Sequence, residues 1–198
     1  MMRICAVLLI STLQGWGLAM AAAVLGDAGP KHDGRLSIDP LRHVDLLGGA
    51  VALVFSIGWA KWVAIDPLVL RRGRFALVLV VFAGFAAIVL GVLGLRFARP
   101  FLLPLLPDTA AATAFVLIQT IIEVGLWFAL LGLLPLPPLM GGHLLVAAVP
   151  KLRERLPAVQ LFLGLIVAAL VATGMVNRVL DPAFGLLLTL VLGEDASV

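Results

Sequence analysis

Metal binding, proton transfer or nucleophilic attack would have to come from few side chains in this chain. It has three histidines, one cysteine and eleven acidic residues among 198. Two histidines four residues apart on a helix lie on one face and can share a metal ion, but no His-x-x-x-His occurs anywhere; His32, His43 and His143 are far apart. Cys5 stands alone in an apolar run, which excludes a disulfide framework or a cysteine metal cluster. Glu123 lies in the middle of a long apolar segment, with Gln119 one turn earlier on the same face. An ionisable group at bilayer depth is costly and marks function or a specific partner. The plainer alternative is a Glu123 hydrogen-bonded inside the bundle, to Gln14 or Thr120. The stretch Gly132-Leu-Leu-Pro-Leu-Pro-Pro-Leu-Met-Gly-Gly-His143 combines three prolines, Gly141 and Gly142 at the end of that segment. Proline removes backbone donors and glycine allows close backbone approach, so this is a structured loop of the kind that builds a site.

These residues must be positioned by membrane helices. The chain is 63% hydrophobic and 13% charged, with a mean hydropathy of +1.18, where soluble domains carry about 45–50% apolar and about 25% charged residues. One multi-pass membrane domain over residues 1–198 is expected. The net charge of +3 does not indicate nucleic acid, because the basic residues sit in short loops and act as topology signals. Apolar runs at Ile4–Leu25, Phe75–Leu95, Thr113–Leu134 and Ala158–Val176 are long enough to span; the first is read as a helix and not as a cleaved leader. Leu46–Ala60 is short for a span and suits a re-entrant segment, and Ala183–Leu192 suits an interfacial position. Gly34–Pro40 and Trp59–Pro67 read as strands flanking the re-entrant piece, a small β-hairpin at one membrane face. Residues 26–74 carry seven Lys/Arg and 151–155 three, against two in 96–112. With a re-entrant Leu46–Ala60, this puts the amino terminus outside. The fold class is therefore an all-α membrane bundle of about four spans with a β-hairpin and a re-entrant segment.

Three stretches carry a resemblance in the right order: Gly34-Arg-Leu-Ser-Ile-Asp-Pro-Leu-Arg-His-Val-Asp45, then Gly58-Trp-Ala-Lys61, then Leu133-Leu-Pro-Leu-Pro-Pro-Leu139 with Gly141-Gly142. Together they resemble the site-2 protease (M50) family of intramembrane zinc metalloproteases, over roughly residues 12 to 150. The resemblance implies a His-Glu-x-x-His on the first helix, whose histidines hold zinc and whose Glu is the base. Counting back from Leu25-Gly26-Asp27, Gln14 and Leu18 stand at the histidine positions and Gly15 at the glutamate. It also implies an Asp ligand where Met140 stands, an Asn where Gly132 stands, and an Ala-Gly-Pro where this chain has Ala83-Gly84-Phe85.

A catalytic zinc needs three protein ligands and an open position for water, and general acid–base help contributes about 10²–10⁴ in rate. Gln14, Leu18 and Met140 do not make a zinc site, and Gly15 cannot carry a proton. The expectation is a pseudoprotease without cofactor in a bacterial inner membrane, binding another membrane protein as scaffold, regulator or accessory subunit. Gln119, Glu123, Trp16, Gly141, Gly142 and His143 are the candidate packing or interaction residues, with Trp16 and Met140 filling the vacated space. Gly15, Gly17 and Ala19 give the first helix a small-residue surface for close packing. The alternatives are an active metalloprotease with atypical ligands and a small transporter using Glu123.

Overall fold

The computed structural model describes residues 1–149 and 151–193, and those residues form helices joined by turns and extended loops. Three long helices pack on one another at the centre: α1 (Met2–Val24), then, after the short helices α2 (Gly29–His32) and α3 (Leu46–Phe55), α4 (Ala76–Leu102) and α5 (Asp108–Leu133). Ile10, Ile88, Val92, Ile122 and Phe128 interlock between them. The small residues on α1 permit this closeness: a Cβ on Gly17 would lie 2.6 Å from that of Ala87 on α4. The chain then forms α6 (Gly142–Ala148), α7 (Leu152–Ala172) and α8 (Met175–Leu192). Helix α8 packs on α5, and α7 packs on α3.

Four helical segments are long and apolar enough to cross a bilayer, namely Met2–Val24, Gly73–Leu105, Asp108–Leu133 and Met175–Leu192. The protein is a multi-pass integral membrane protein. The fourth span differs from the sequence expectation. The helix at Ala158 begins earlier, with Arg153, Glu154 and Arg155 in its first turns, and ends at Ala172, so its apolar part is short. Helix α8 reaches spanning length by taking Asn177, Arg178, Asp181 and Pro182 into its first turns; the apolar run from Ala183 is its second half.

The β-hairpin is not formed among the described residues. A lone antiparallel bridge joins Val44 to Ala60, and the Lys61 amide donates to the His43 carbonyl at 2.8 Å. Gly34–Pro40 alternates in polarity but turns, with Gly34 at φ +69° and the Asp39 carboxylate capping a single 3-10 turn at Pro40–Arg42. Its backbone is held from the side. The Arg35 guanidinium donates to the carbonyl of Trp62 at 2.9 Å and also to that of Arg42. With the first stretch turned into a loop, Trp59–Pro67 has no strand to pair with. The re-entrant expectation at Leu46 has a counterpart in α3, ten residues long and so about 15 Å, half a hydrocarbon core. Asp45 caps its start and Ser56 ends it in the left-handed region at φ 62°.

Candidate functional site

The proline-rich loop folds back on the end of α5. The Gly141 amide donates to the Gly132 carbonyl at 2.6 Å and the Leu139 amide to that of Leu136 at 2.8 Å. No side chain fits at Gly141, because the carbonyl oxygens of Leu133 and Leu134 occupy the space. At Gly142 a Cβ would lie 3.0 Å from the Trp62 ring. The two glycines thus let the loop carry Met140 down onto α1 and α4.

There Met140, 3% exposed, meets the other positions singled out from the sequence. Its Cε lies 2.8 Å from where a Gly132 Cβ would be, and its Sδ 3.3 Å from that of Gly84. The Leu18 side chain presses on the same point of Gly84 at 2.9 Å, and Gln14 Nε2 lies 3.2 Å from the Gly132 point. Gln14, Leu18, Gly84, Gly132 and Met140 converge on one place. The space left is a cavity of about 10 Å³, lined by Gln14, Leu18, Trp62, Pro138, Met140 and His143 among others, which is roughly the room one water molecule needs. Trp16, half-buried on α1, does not line it; Trp62 does.

His143 is buried and stacks on Trp62, ring centroids 3.9 Å apart and planes at 21°. Its Nε2 and the Oε1 of Gln14 are both buried without a partner. Burial pushes the His143 imidazole down to about 3, so it stays neutral at physiological pH. Zinc chemistry does not fit this donor set. Leu18 offers no donor, Gln14 an amide, Met140 a thioether turned onto Gly84, and among the described residues no three His, Cys, Asp or Glu side chains gather into a metal-binding group.

The space beside Gly15, where the resemblance implies the base, is filled as well. A Cβ on Gly15 would overlap Nδ1 of His43 and lie 3.1 Å from its Cγ. His43 is fully buried, shares a hydrogen bond between Nε2 and the Ser37 carbonyl at 2.8 Å, and leaves Nδ1 without a partner against α1. Burial lowers its affinity for a proton and outweighs the Ser37 bond, which raises it. His43 reads from the sequence as a solvated loop residue, yet it is a core residue. Arg35 lies within the first matched stretch and Trp62 directly follows the second, and that proximity is the signal the sequence holds for them. Asp27, the end of Leu25-Gly26-Asp27, joins the loops, its carboxylate accepting from the amides of Gly29 at 2.8 Å and Asp66 at 2.7 Å.

A larger groove of about 490 Å³ lies alongside, lined by Leu47, Trp59, Gln160 and Leu161 and sharing Lys61, Trp62 and Pro138 with the small cavity. Trp62 and Pro138 stand between the two spaces. Among the described residues, Glu123 lines neither space and has no hydrogen-bond or ion-pair partner inside the bundle. It is exposed on the outer face of α5; the Thr120 hydroxyl bonds to the Val116 carbonyl at 2.8 Å, and Gln14 sits at the cavity.

An apolar, proline-rich loop doubled back between membrane helices, with the positions singled out by the resemblance gathered at one buried point, is the arrangement that the resemblance implies. The chain is 31% identical over 173 residues to a Bacillus subtilis (strain 168) protein described as "Putative zinc metalloprotease YwhC", covering 83% of this chain and 77% of that protein. It belongs to that site-2-protease-like (M50) family of membrane proteins. No family model matches the chain, and no solved structure matches it.

Proposed function

We propose that this protein is a non-catalytic member of its family, a pseudoprotease that uses the retained scaffold to bind another integral membrane protein, as a regulator or accessory subunit in a bacterial inner membrane. The observation that carries this reading is the interlocking of Met140 with Leu18, Gly84 and Gly132. Metal and water would need the space that this side chain fills, and Gly15 leaves the base position to the His43 ring. The shape-making residues Pro135, Pro137, Pro138, Gly141 and Gly142 are kept while the chemistry is not, which suits a surface held for docking.

The test is metal analysis of the protein purified in mild detergent, with a model membrane peptide offered as substrate and co-purification of its partners. The expected result is no stoichiometric zinc, no cleavage and a stoichiometric membrane-protein partner. Stoichiometric zinc with cleavage would overturn the reading. One observation favours a second reading, a metalloprotease with atypical ligands: Gln14 Oε1 and His143 Nε2, both unpartnered, line the same cavity. Zinc retained by the parent protein and lost in His143→Ala would support it.

A further inference from the structure

The outward face of α4 is apolar at mid-span, with Leu79, Phe82 and Leu90 exposed, and α8 carries its exposed charges, Arg178 and Asp181, in its first turns, ahead of Leu186 and Leu190. Helix α5 differs. Thr109, Ala112, Thr113, Val116, Thr120 and Glu123 follow one another at helical spacing along its outer side, and Phe115 flanks them. The hydroxyls of Thr113 and Thr120 are used up on their own helix, bonding to the carbonyls of Thr109 and Val116. Glu123 has no partner among the described residues, and neither has the buried Oε1 of Gln119 one turn away. A carboxyl group exposed half-way along a spanning helix is unfavourable against lipid tails. Small residues on such a face let a second helix come close enough to satisfy it.

We infer that this face of α5 is the contact between two copies of the protein in the membrane. The surface is self-complementary. Two copies inserted the same way present α5 in parallel, so equal levels meet, and a residue on one helix reaches those one turn away on the other. Glu123 of each copy then lies level with Glu123 of its partner and one turn from the partner's Gln119 amide, whose N–H groups donate to the carboxyl. An isologous pair of this kind uses the same patch twice and closes on itself. The contact lies away from the cavity and the groove and is independent of whether the protein cleaves anything.

The test uses the full chain in liposomes, with Cys5→Ser removing the native thiol. Val116→Cys should form a disulfide-linked dimer on mild oxidation, and Leu90→Cys on α4 should not. Fluorescence transfer between labelled copies, measured while lipid dilutes the protein, gives the dissociation constant. Glu123→Leu should weaken association roughly three- to thirty-fold for each interhelical hydrogen bond it removes, and Glu123→Gln should retain it. Glu123→Leu replaces an exposed group and leaves the fold intact, which circular dichroism checks. Equal crosslinking at positions 90 and 116, unchanged association in Glu123→Leu, or capture of a different polypeptide at position 116 would each overturn the inference.

Discussion

Gly15→Ala reports directly on whether the base position is filled. In a helix interior alanine is favoured over glycine by about 1 kcal/mol, so an unobstructed Gly15→Ala would stabilise α1. Here the new methyl group would overlap His43 Nδ1 and crowd its Cγ at 3.1 Å. The ring cannot swing away freely, because it is fully buried and its Nε2 is bonded to the Ser37 carbonyl at 2.8 Å. Overpacking of this kind costs about 1–3 kcal/mol, and loss of the Ser37 bond adds about 0.5–1.5. The clash exceeds the helix gain, and a net loss of about 0.5–3.5 kcal/mol is expected. In a His43→Ala background the obstruction is gone, and the same substitution should become neutral or stabilising by up to about 1 kcal/mol. The sign should therefore reverse. Unfolding in mixed micelles followed by helical circular dichroism, on the parent, both single variants and the double variant, measures the coupling. Effects that add to within about 0.5 kcal/mol, or a stabilised Gly15→Ala in the parent, would refute the placement of His43 in this position.

Three further outcomes follow from the same structure. Asp27→Ala leaves the Gly29 and Asp66 amides without their acceptor and should lower stability by about 1–3 kcal/mol for each amide left buried, read as a lower unfolding midpoint; Asp27→Asn, which keeps one acceptor, should lose less. Because His143 is depressed to about 3 from 6.5 when folded, the unfolded state takes up more protons between those values. Stability should be complete above pH 6.5 and fall on acidification, by about 2 kcal/mol from this residue at pH 5. His43 is lowered too and adds in the same direction, while His143→Phe, which retains the stack on Trp62, should flatten the profile. Restoring the implied ligands through Gln14→His, Gly15→Glu, Leu18→His and Met140→Asp together should give a poorly folded protein without zinc, because the Glu side chain has no room beside His43; adding His43→Ala should recover folding, and metal analysis with circular dichroism checks both.

Legibility in the sequence followed the range of the interactions involved. The spans at α1, α4 and α5 could be read because a run of more than twenty apolar residues has few other uses. The side-chain geometry brings together Gln14, Leu18, Gly132 and Met140, which the family resemblance had singled out from stretches far apart in the sequence. The false β-hairpin came from alternation over Gly34–Pro40, a local signal that one buried side chain overrides: Arg35 turns its guanidinium inward and binds the carbonyls of Arg42 and Trp62. His43 was hidden for a related reason. Charged neighbours on both sides, Arg42 and Asp45, describe a solvated loop, and only the contact with Gly15, 28 positions earlier in the numbering, makes it core. The exchange of α7 for α8 as the fourth spanning helix turned on where a helix starts, which polar first turns such as Asn177–Asp181 conceal.

On the proposed non-catalytic reading, the positions that depart from the family pattern are not independent of one another. A site that merely lost its ligands would be left with voids, since side chains removed from a packed interior leave cavities that cost stability in proportion to their volume. Here each loss is matched by a neighbour of complementary size. Met140 is longer than the Asp implied at its position, and Gly132 is smaller than the implied Asn, so the thioether end lies where the missing side chain would have begun. Gly15 gives up a side chain where His43 fills the space. Leu18 rests on Gly84 of the facing helix. Large and small alternate across the gap as they do in an ordinary core, and about 10 Å³ remains. Changing any one of these residues alone to the type the resemblance implies creates either a clash or a hole, so the set is held together by packing, and on the proposed reading several residues would have to change together to accept zinc.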